Sequence, residues 1–415
     1  MKIVKSLKFV LFPSTTQKEL INKTFGCCRQ IYNNRLAERI NFYNNNIATI
    51  PQEQRTKEIT NTIWKTFKPT TEREMCIRFP YMREVSNNTL QQSRIDCEKA
   101  FTNFYNSKSG KRKGIQIGFP KYKTKKHSRQ SYRNFQIKIR HFNFEQQWIQ
   151  IPKLGKVKFK LRKLPKWFDL IKDICFITVN KSPAHRYYVS ITFELSQEYR
   201  IDIEHFNDVI GLDFDCDDMY IDSNGKSATK DFGFIKQKQT HNKRLTKLSR
   251  RFNRKQKIQS SLKKIDSNNR YKAKIKLARY EEYIANKRKD WIEKETLRLV
   301  KTYNKIVVED LNIQGMLKGS RNAKNYVDIS WAIFVSKLQD KGQTYGCEIV
   351  KADRFFASSQ LCSSCGFKYP EVRDRHLDKW TYPQCNTVHQ RDVNAAINLK
   401  NYIPLEGREL TTVES

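Results

Sequence analysis

The sequence has few acidic residues for its number of basic ones, and it has no long apolar run. Asp and Glu number 42 against 80 Lys and Arg, which gives a formal net charge of +38. No apolar stretch approaches the roughly 18 residues that a membrane-spanning helix needs. The lysines at positions 2 and 5 interrupt the apolar core that a signal peptide would require. We therefore expect neither a membrane span nor a secretory signal.

The charge excess predicts a polyanionic partner, because like charges at this density repel one another without one. The chain is also rich in aromatic residues, with 25 Phe, 19 Tyr and 6 Trp, which excludes a disordered basic tail. Its 415 residues provide for two or three domains. Nucleic acid is the predicted partner class, and an anionic membrane surface is the alternative. Most of the ten cysteines are scattered singly, which suits a reducing cytosol.

The first half of the chain predicts one strand, two helices and then a sheet. The strand covers 3–12, and apolar residues at spacings of three and four predict a helix over 21–43 and another from Ser86. Alternating apolar and polar residues then predict strands at 135–139, 148–151, 157–161 and 188–193. We expect an antiparallel sheet or small barrel whose basic, aromatic face suits RNA or DNA.

The second half predicts a mixed α/β layer fold. Strands are predicted at 209–213, 219–222, 305–311 and 348–352, with a helix from Ser330. The turn Asn224-Gly225 follows the second strand of this set, where we expect both residues to have positive φ angles. Between 236 and 289 the chain carries about 20 basic residues against three acids, mostly at helical spacing. This segment predicts helices that bind a phosphate backbone.

Three carboxylates lie at the ends of predicted elements. Asp213 and Glu309 each close an apolar strand, and Asp392 opens a final helix. A carboxylate at the end of a buried strand is costly unless it is hydrogen-bonded or bound to a cation. Converging acids favour Mg²⁺ or Mn²⁺, and two such ions can promote in-line attack on a phosphodiester. Taken singly, each acid has an ordinary structural explanation: Asp213 as a turn residue, Glu309 as the ion-pair partner of a lysine, and Asp392 as a helix cap.

A cysteine pattern lies just before Asp392. Cys362 and Cys365 form a Cys-x-x-Cys knuckle, and Cys385 follows 20 positions later. A paired-knuckle zinc ribbon would have a further cysteine where this chain has Tyr382. The fourth zinc ligand is then His376 or His389, or the ribbon holds no metal.

Four strings in this order resemble a known family: IGLDFD, IVVEDLNIQGM, SSQLCSSCG and HQRDVNAAINL. Over about 205–402 the chain resembles TnpB, the insertion-sequence-encoded nuclease family to which the miniature type V CRISPR effectors are related. The resemblance implies an RNase H-like (RuvC-type) α/β nuclease domain with an inserted zinc-ribbon-like segment. It also implies a preceding wedge-like β-barrel with a helical insertion.

The resemblance implies the following division of the chain: 1–15, first strand of the wedge barrel; 16–110, helical recognition domain; 111–205, remainder of the barrel; 206–355, nuclease domain; 356–388, ribbon insertion; 389–415, end of the nuclease domain and tail. Such a protein is expected to act in a prokaryotic cytoplasm, at the nucleoid.

The family's activity implies a guide RNA, a double-stranded DNA target with a short adjacent motif, and divalent-metal-dependent cleavage. By position, Asp213, Glu309 and Asp392 match the family's metal-binding acids, with Asp215 as the second choice for the first of them. The three cysteines match three of four zinc positions, and Asn386 stands where a knuckle glycine is usual. Two alternatives remain open, an RNA-guided repressor that does not cut DNA and a transposase that needs no RNA.

Overall fold

The computed structural model describes residues 3–112, 116–161, 163–215, 218–228, 234–261, 267–311, 330–373 and 378–403. The chain divides into two compact units, 1–198 and 199–415. Within these described ranges, no helix is both long enough and apolar enough to cross a membrane.

The first unit combines a helical segment with an antiparallel sheet. Its elements are β1 (Val4–Phe12), α1 (Thr15–Asn46), α2 (Lys57–Lys65), α3 (Glu72–Arg78), α4 (Asn87–Lys108), β2 (Gln130–Asn134), β3 (Phe142–Asn143), β4 (Trp148–Ile151), β5 (Gly155–Lys160), β6 (Ile171–Lys181) and β7 (Tyr187–Leu195). The seven strands are ordered β2-β6-β7-β1-β5-β4-β3, and every paired neighbour is antiparallel.

Alternation along the strands builds the core of this unit. On β5, Val157 and Phe159 are buried while the lysines between and beside them are exposed. Ile21 and Phe25 of α1 pack into the same cluster as the inward residues of the sheet. Because one face of the sheet is apolar and covered, its other face keeps the lysines in solvent.

The predicted strand at 135–139 is absent, and β6 was not predicted. After β2 the backbone turns away, because side chains accept the hydrogen bonds of its N–H groups: Phe135 N donates to Asn88 Oδ1 and Gln136 N to Asn134 Oδ1, both at 2.9 Å. The sequence pattern did not predict β6, because its pairing register with β7 shifts twice, near Asp173 and Phe176. Each shift interrupts the alternation of apolar and polar residues.

The second unit contains a mixed sheet and long helices. Its elements are β8 (Asn207–Asp215), β9 (Met219–Asp222), α5 (Phe234–Ser261), α6 (Asn268–Thr302), β10 (Tyr303–Glu309), α7 (Trp331–Tyr345), β11 (Glu348–Ala352), β12 (Lys379–Thr381), β13 (Val388–Gln390) and α8 (Arg391–Lys400). Four strands form a sheet in the order β11-β10-β8-β9, in which β8, β10 and β11 are parallel and β9 is antiparallel.

Both faces of this sheet are covered by helices. Ile306 and Val308 of β10 belong to a buried cluster with residues of α6 and α7, such as Leu299 and Leu338. Val307, which points to the other face, packs with Leu399 of α8 and its neighbours. A mixed sheet between helices is compatible with the RNase H-like layout that the sequence predicts. In the turn after β9, only Gly225 has a positive φ, at 76°.

Candidate functional site

Two of the predicted acids meet at the carboxyl edge of the four-stranded sheet. β8 and β10 are parallel and pair Leu212 with Val308, so the following residues, Asp213 and Glu309, lie side by side. Besides burial, the charge of Glu309 raises the pKa of Asp213, so the two carboxyl groups are close enough to interact. Asp213 is only 8% exposed. The topology thus brings together two acids that are about a hundred residues apart in the sequence.

The third acid, Asp392, is in the first turn of α8, which packs against β8. A glycine allows that packing: a Cβ added at Gly211 of β8 would lie 2.0 Å from the carbonyl oxygen of Ala396 and 2.5 Å from the amide nitrogen of Lys400. Any side chain at 211 would therefore push α8 away from the sheet. Asp392 lies within electrostatic range of both Asp213 and Glu309.

Burial raises the pKa of all three carboxyl groups. For Asp213 the rise is large, and the charges of Glu309 and Asp392 add to it. The pKa of Glu309 also rises through burial, while a hydrogen bond of 2.9 Å from Ser358 Oγ opposes the rise. Burial likewise raises the pKa of Asp392. Buried carboxylates that repel one another are a donor set that a hard divalent cation would stabilise.

The three carboxylates are gathered less tightly than the cysteines of the ribbon. Among the described residues, only the group of Cys362, Cys365 and Cys385 has all its ligand atoms within 4.8 Å of one another. The acids thus form a close pair with a third member near it.

Sequence reasoning missed three residues around the acids. The charge of Asp378 raises the pKa of Asp392, as does that of Asp215. Arg391 has the opposite effect, and its charge lowers the pKa of Asp213, Glu309 and Asp392. Ser358 is buried and hydrogen-bonds to Glu309. Arg391 could have been noticed as the neighbour of Asp392, whereas Asp378 and Ser358 depend on the folded ribbon.

The predicted cysteines do come together. The sulfur atoms of Cys362 and Cys385 are 3.6 Å apart, close to the roughly 3.8 Å edge of a tetrahedron with Zn–S bonds of about 2.3 Å. His389 Nε2 is 3.3 Å from Cys362 Sγ. Hydrogen bonds with Thr387 lower the pKa of Cys385 to about 7, which favours the thiolate that binds metal. The other candidate ligand, His376, lies outside the described residues.

The two halves of the ribbon have the same backbone geometry. Gly366 N donates to Cys362 O, and Asn386 N donates to Tyr382 O, both at 2.9 Å. The residues after the second cysteine of each half have positive φ, 76° at Gly366 and 53° at Asn386, and asparagine tolerates that region. Tyr382 therefore occupies the position equivalent to Cys362. It is fully buried, and its ring contacts that of His389.

One helix connects the ribbon to the acids. Asn394 of α8 accepts a hydrogen bond from Ser363 N (2.9 Å) and donates to Leu361 O (2.7 Å) and to Tyr382 Oη (3.4 Å). Asn394 is two residues after Asp392 and is buried. The position of Asp392 therefore depends on the ribbon to which its helix is bonded.

The basic segment 236–289 folds mainly as α5 and α6, which pack together. Four cations line a cavity of about 150 Å³ between them: Arg251, Lys255, Lys272 and Lys276. Among the described residues, none of these four has an ion pair with an acid. A cavity of this kind suits a phosphate group.

The exposed face of the first unit's sheet also carries cations over aromatic rings. Lys8 Nζ lies 4.1 Å from the centroid of the Tyr188 ring, and Lys156 Nζ lies 4.4 Å from that of Trp148. This is the basic, aromatic face that the sequence predicts. The lysines offer charge to a nucleic acid and the partly exposed Trp148 ring offers a stacking surface, whereas the Tyr188 ring is buried.

Three family models match the chain. Residues 331–399 match “Cas12f1-like, TNB domain”, residues 197–320 match “Probable transposase” of the OrfB/IS605 type, and residues 1–48 match “Helix-turn-helix domain” of the same type. In the structure, residues 4–46 of the last match form β1 and one long helix, α1.

Relatives align along nearly the whole chain. A Streptomyces pristinaespiralis protein named “Putative RNA-guided DNA endonuclease” is 28% identical over 96% of this chain and 89% of its own. “Putative RNA-guided DNA endonuclease InsQ” of Escherichia coli K12 is 26% identical over 96% and 92%. “TnpB-like protein L79” of Acanthamoeba polyphaga mimivirus is 27% identical over 32% and 26%.

Among solved structures, a Cas12f1–sgRNA–target DNA complex aligns over 96% of this chain and 99% of that chain, at 16% identity and a TM-score of 0.30. A score this low does not establish a common arrangement of the two chains. The four ordered motifs, the three matching segments and the two relatives that align along nearly the whole chain show that this chain is similar to TnpB-type proteins of the OrfB/IS605 and Cas12f1-like kind.

Proposed function

We propose that this protein is an RNA-guided DNA endonuclease that cuts its target by metal-dependent hydrolysis of a phosphodiester. The observation that carries the proposal is the largely buried pair Asp213 and Glu309 at the ends of paired parallel strands, with Asp392 on the helix packed beside them. Buried carboxylates in this arrangement are costly for folding, which supports a catalytic reason for their presence.

The proposed roles follow from each residue's contacts. Asp213, Glu309 and Asp392 would hold Mg²⁺ or Mn²⁺, which when bound supplies activation of the attacking water and stabilisation of the leaving oxygen. Ser358 holds Glu309 in place by donating to its Oε1. The Arg391 guanidinium offsets part of the repulsion among the acids.

We further propose that the ribbon binds zinc through Cys362, Cys365, Cys385 and His389. The sulfur spacing supports this, and so does the short distance from His389 to Cys362. Burial lowers the pKa of His389, which keeps its imidazole neutral and able to act as a ligand at neutral pH. Tyr382 then contributes packing in place of a sulfur ligand.

Guide RNA and target DNA would bind the cationic surfaces of the two units, and base pairing rather than side chains would read the target sequence. The cavity between α5 and α6 would be one phosphate site. The same proposal includes recognition of a short motif beside the target and action at a prokaryotic nucleoid. It also includes the division of the chain into domains after residues 15, 110, 205, 355 and 388.

The decisive test is to purify the protein from a host that carries its native locus and to sequence the RNA that co-purifies. We expect one discrete RNA with a constant part and a variable end. The complex should cut DNA matching the variable end in Mg²⁺ and not in EDTA. Random cellular RNA together with an absence of programmable cutting would contradict the proposal.

A guided DNA-binding protein that does not cut is the second candidate, and Tyr382 in a cysteine position favours it. The same complex distinguishes the two: a repressor protects matching DNA from other nucleases and leaves it intact. A transposase that needs no RNA would remain active on transposon ends after RNase treatment, whereas a guided enzyme should lose cleavage.

The phosphate site has its own test, the salt dependence of RNA binding. Replacing both Lys272 and Lys276 with Gln should lower the slope of log affinity against log salt by about two, because each neutralised phosphate releases about one counter-ion. Lys294→Gln is the control, since Lys294 is exposed and paired with Asp290. An unchanged slope in the double variant would show that the cavity binds no phosphate.

A further inference from the structure

Phe355 is an almost fully exposed aromatic residue close to the acids. We propose that its ring stacks on a base of the single-stranded DNA that approaches Asp213 and Glu309. The inference rests on the proposed function, to which it adds a substrate-positioning residue. Phe355 is 89% exposed, although a phenylalanine side chain is normally among the most buried.

The position of Phe355 follows from the register of the sheet. Ala352, the last residue of β11, pairs with Glu309 of β10. Phe355 comes three residues later, so its Cα lies within roughly 11 Å of that of Ala352. Three residues further on, Ser358 donates a hydrogen bond to Glu309. The segment 353–358 therefore starts beside Glu309 and returns to it, with Phe355 in the middle.

The segment is held on both sides of Phe355, so the ring's exposure does not come from an unanchored loop. Asp353 Oδ1 accepts a hydrogen bond of 2.8 Å from Phe355 N, and Asp353 N donates to Tyr402 Oη at 3.1 Å. The next residue, Phe356, packs its ring against Tyr402 with centroids 4.8 Å apart. A ring presented by a fixed backbone loses little freedom when a base covers it.

Stacking suits the chemistry expected at this edge of the sheet. DNA must be unpaired to reach buried acids, and its exposed bases then need a surface to cover them. An aromatic ring can stack on any base, so it does not restrict an enzyme whose target is chosen by base pairing. The neighbouring Arg354 is bonded to Asp310 at 2.9 Å, which keeps the backbone next to Phe355 in place.

The chain provides a matched control in Phe206. Its side chain is 88% exposed, almost the same as that of Phe355. Phe206 precedes β8, whose first residue, Asn207, pairs with Tyr303 at the amino edge of the parallel strands. Asp213 is seven positions after Phe206 along an extended strand, or roughly 23 Å away. Only Phe355 is at the edge where the acids lie.

The first experiment measures stacking without cleavage. A short single-stranded DNA containing 2-aminopurine, whose fluorescence falls when it stacks, is titrated with the protein in buffer without added Mg²⁺, which leaves the proposed zinc in the ribbon. Wild type, F206A and F355W should quench the signal with similar affinity, and F355A should bind about tenfold more weakly with little quenching. All variants should have the same Tm as wild type, because both rings are exposed.

The second experiment measures cutting by the RNA-bound complex in Mg²⁺. At limiting DNA, F355A should cut about tenfold more slowly than wild type, with F206A and F355W near wild type. The inference is overturned if F355A matches wild type in both assays, if F206A is impaired equally, or if quenching occurs only with an RNA oligonucleotide of the same sequence. If the wild type does not cut but quenching still requires Phe355, the inference stands and the proposed endonuclease function is wrong.

Discussion

The second unit contains two sites suited to metal ions, and they are built in opposite ways. The proposed oxygen site would take its ligands from three distant elements, with Asp213, Glu309 and Asp392 on two parallel strands and a helix. The sulfur site takes three ligands from a single segment, between Cys362 and Cys385. The first therefore requires the complete sheet, whereas the second requires only two knuckles and a short hairpin.

The two sites also differ in what they cost the protein without metal. Burial and mutual repulsion raise the pKa of the acids, so the oxygen site opposes folding at neutral pH. In the ribbon, by contrast, Cys362 is buried with Trp380 and Tyr382 in a small apolar cluster against which Cys385 packs, and this packing needs no metal. The oxygen site has the character of a catalytic centre, and the sulfur site that of a structural support.

Asp213→Ala should separate the two sites most clearly. We expect the cleavage rate to fall about a thousandfold, since a lost metal ligand removes several kcal/mol of transition-state stabilisation. Zinc content, measured by atomic emission, should not change. Asp290→Ala is the control, because Asp290 is exposed on α6. Cleavage at the wild-type rate by D213A would remove Asp213 from the site.

His389→Ala should weaken zinc binding first, whereas Asp213→Ala lowers the cleavage rate and leaves zinc content unchanged. Zinc affinity, measured by competition with a chelator, should fall at least about a hundredfold. Loss of a residue that only hydrogen-bonds to a metal ligand already lowers metal affinity about 10–100-fold, and loss of the ligand itself should cost more. H389C should retain zinc, and H127A, which changes an exposed histidine in the first unit, should behave as wild type. Undiminished zinc affinity in H389A would assign the fourth ligand to another residue.

Gly211→Ala should damage both sites together, because α8 serves both. The added methyl group would lie 2.0 Å from a backbone oxygen of α8, so the helix must move. We expect the free energy of unfolding in urea to fall by about 2–3 kcal/mol, a large value for overpacking. Gly118→Ala is the control, since no atom lies within 4 Å of its added Cβ. A stability equal to wild type would contradict the close packing of α8 against Gly211.

Asp213→Asn should stabilise the metal-free protein although it abolishes cutting. Because the pKa of Asp213 is raised, its contribution to stability is complete below the ordinary value of 3.8 and is lost as pH rises through the raised value. The neutral amide avoids this loss, so D213N should be more stable than wild type by about 1 kcal/mol at pH 7 in EDTA. Melting curves from pH 4 to pH 8 test whether the stability difference has this sign. Added Mg²⁺ should instead make the wild type the more stable protein.

Much of the second unit could be predicted because its signals are local. Apolar runs ending in an acid predicted β8 and β10, and parallel pairing then brings Asp213 next to Glu309. Helical spacing predicted α8 to within one residue at each end, whereas α6 continues to Thr302, 13 residues beyond the predicted basic segment 236–289. The register of the sheet and the identity of the fourth ribbon ligand were not predictable, because both depend on contacts between distant residues.

The wrong prediction of a strand at 135–139 and the missed residues near the acids also arise mainly from contacts between residues that are distant in the sequence. At 135–139 the alternating pattern is present, but Asn88 and Asn134 accept the hydrogen bonds that a neighbouring strand would have needed. Asp378 and Ser358 reach the acids only after the ribbon has folded against α8. No spacing rule relates such residues to the site.

The hydrogen bonds of Asn394 have a consequence for how relatives of this protein are read. Its amide joins both knuckles to the helix that presents Asp392. Under the proposed function, a change in the ribbon would silence or retune cutting while Asp213, Glu309 and Asp392 all stay in the gene. Counting intact acids in a similar sequence would then overestimate how many such proteins cut DNA.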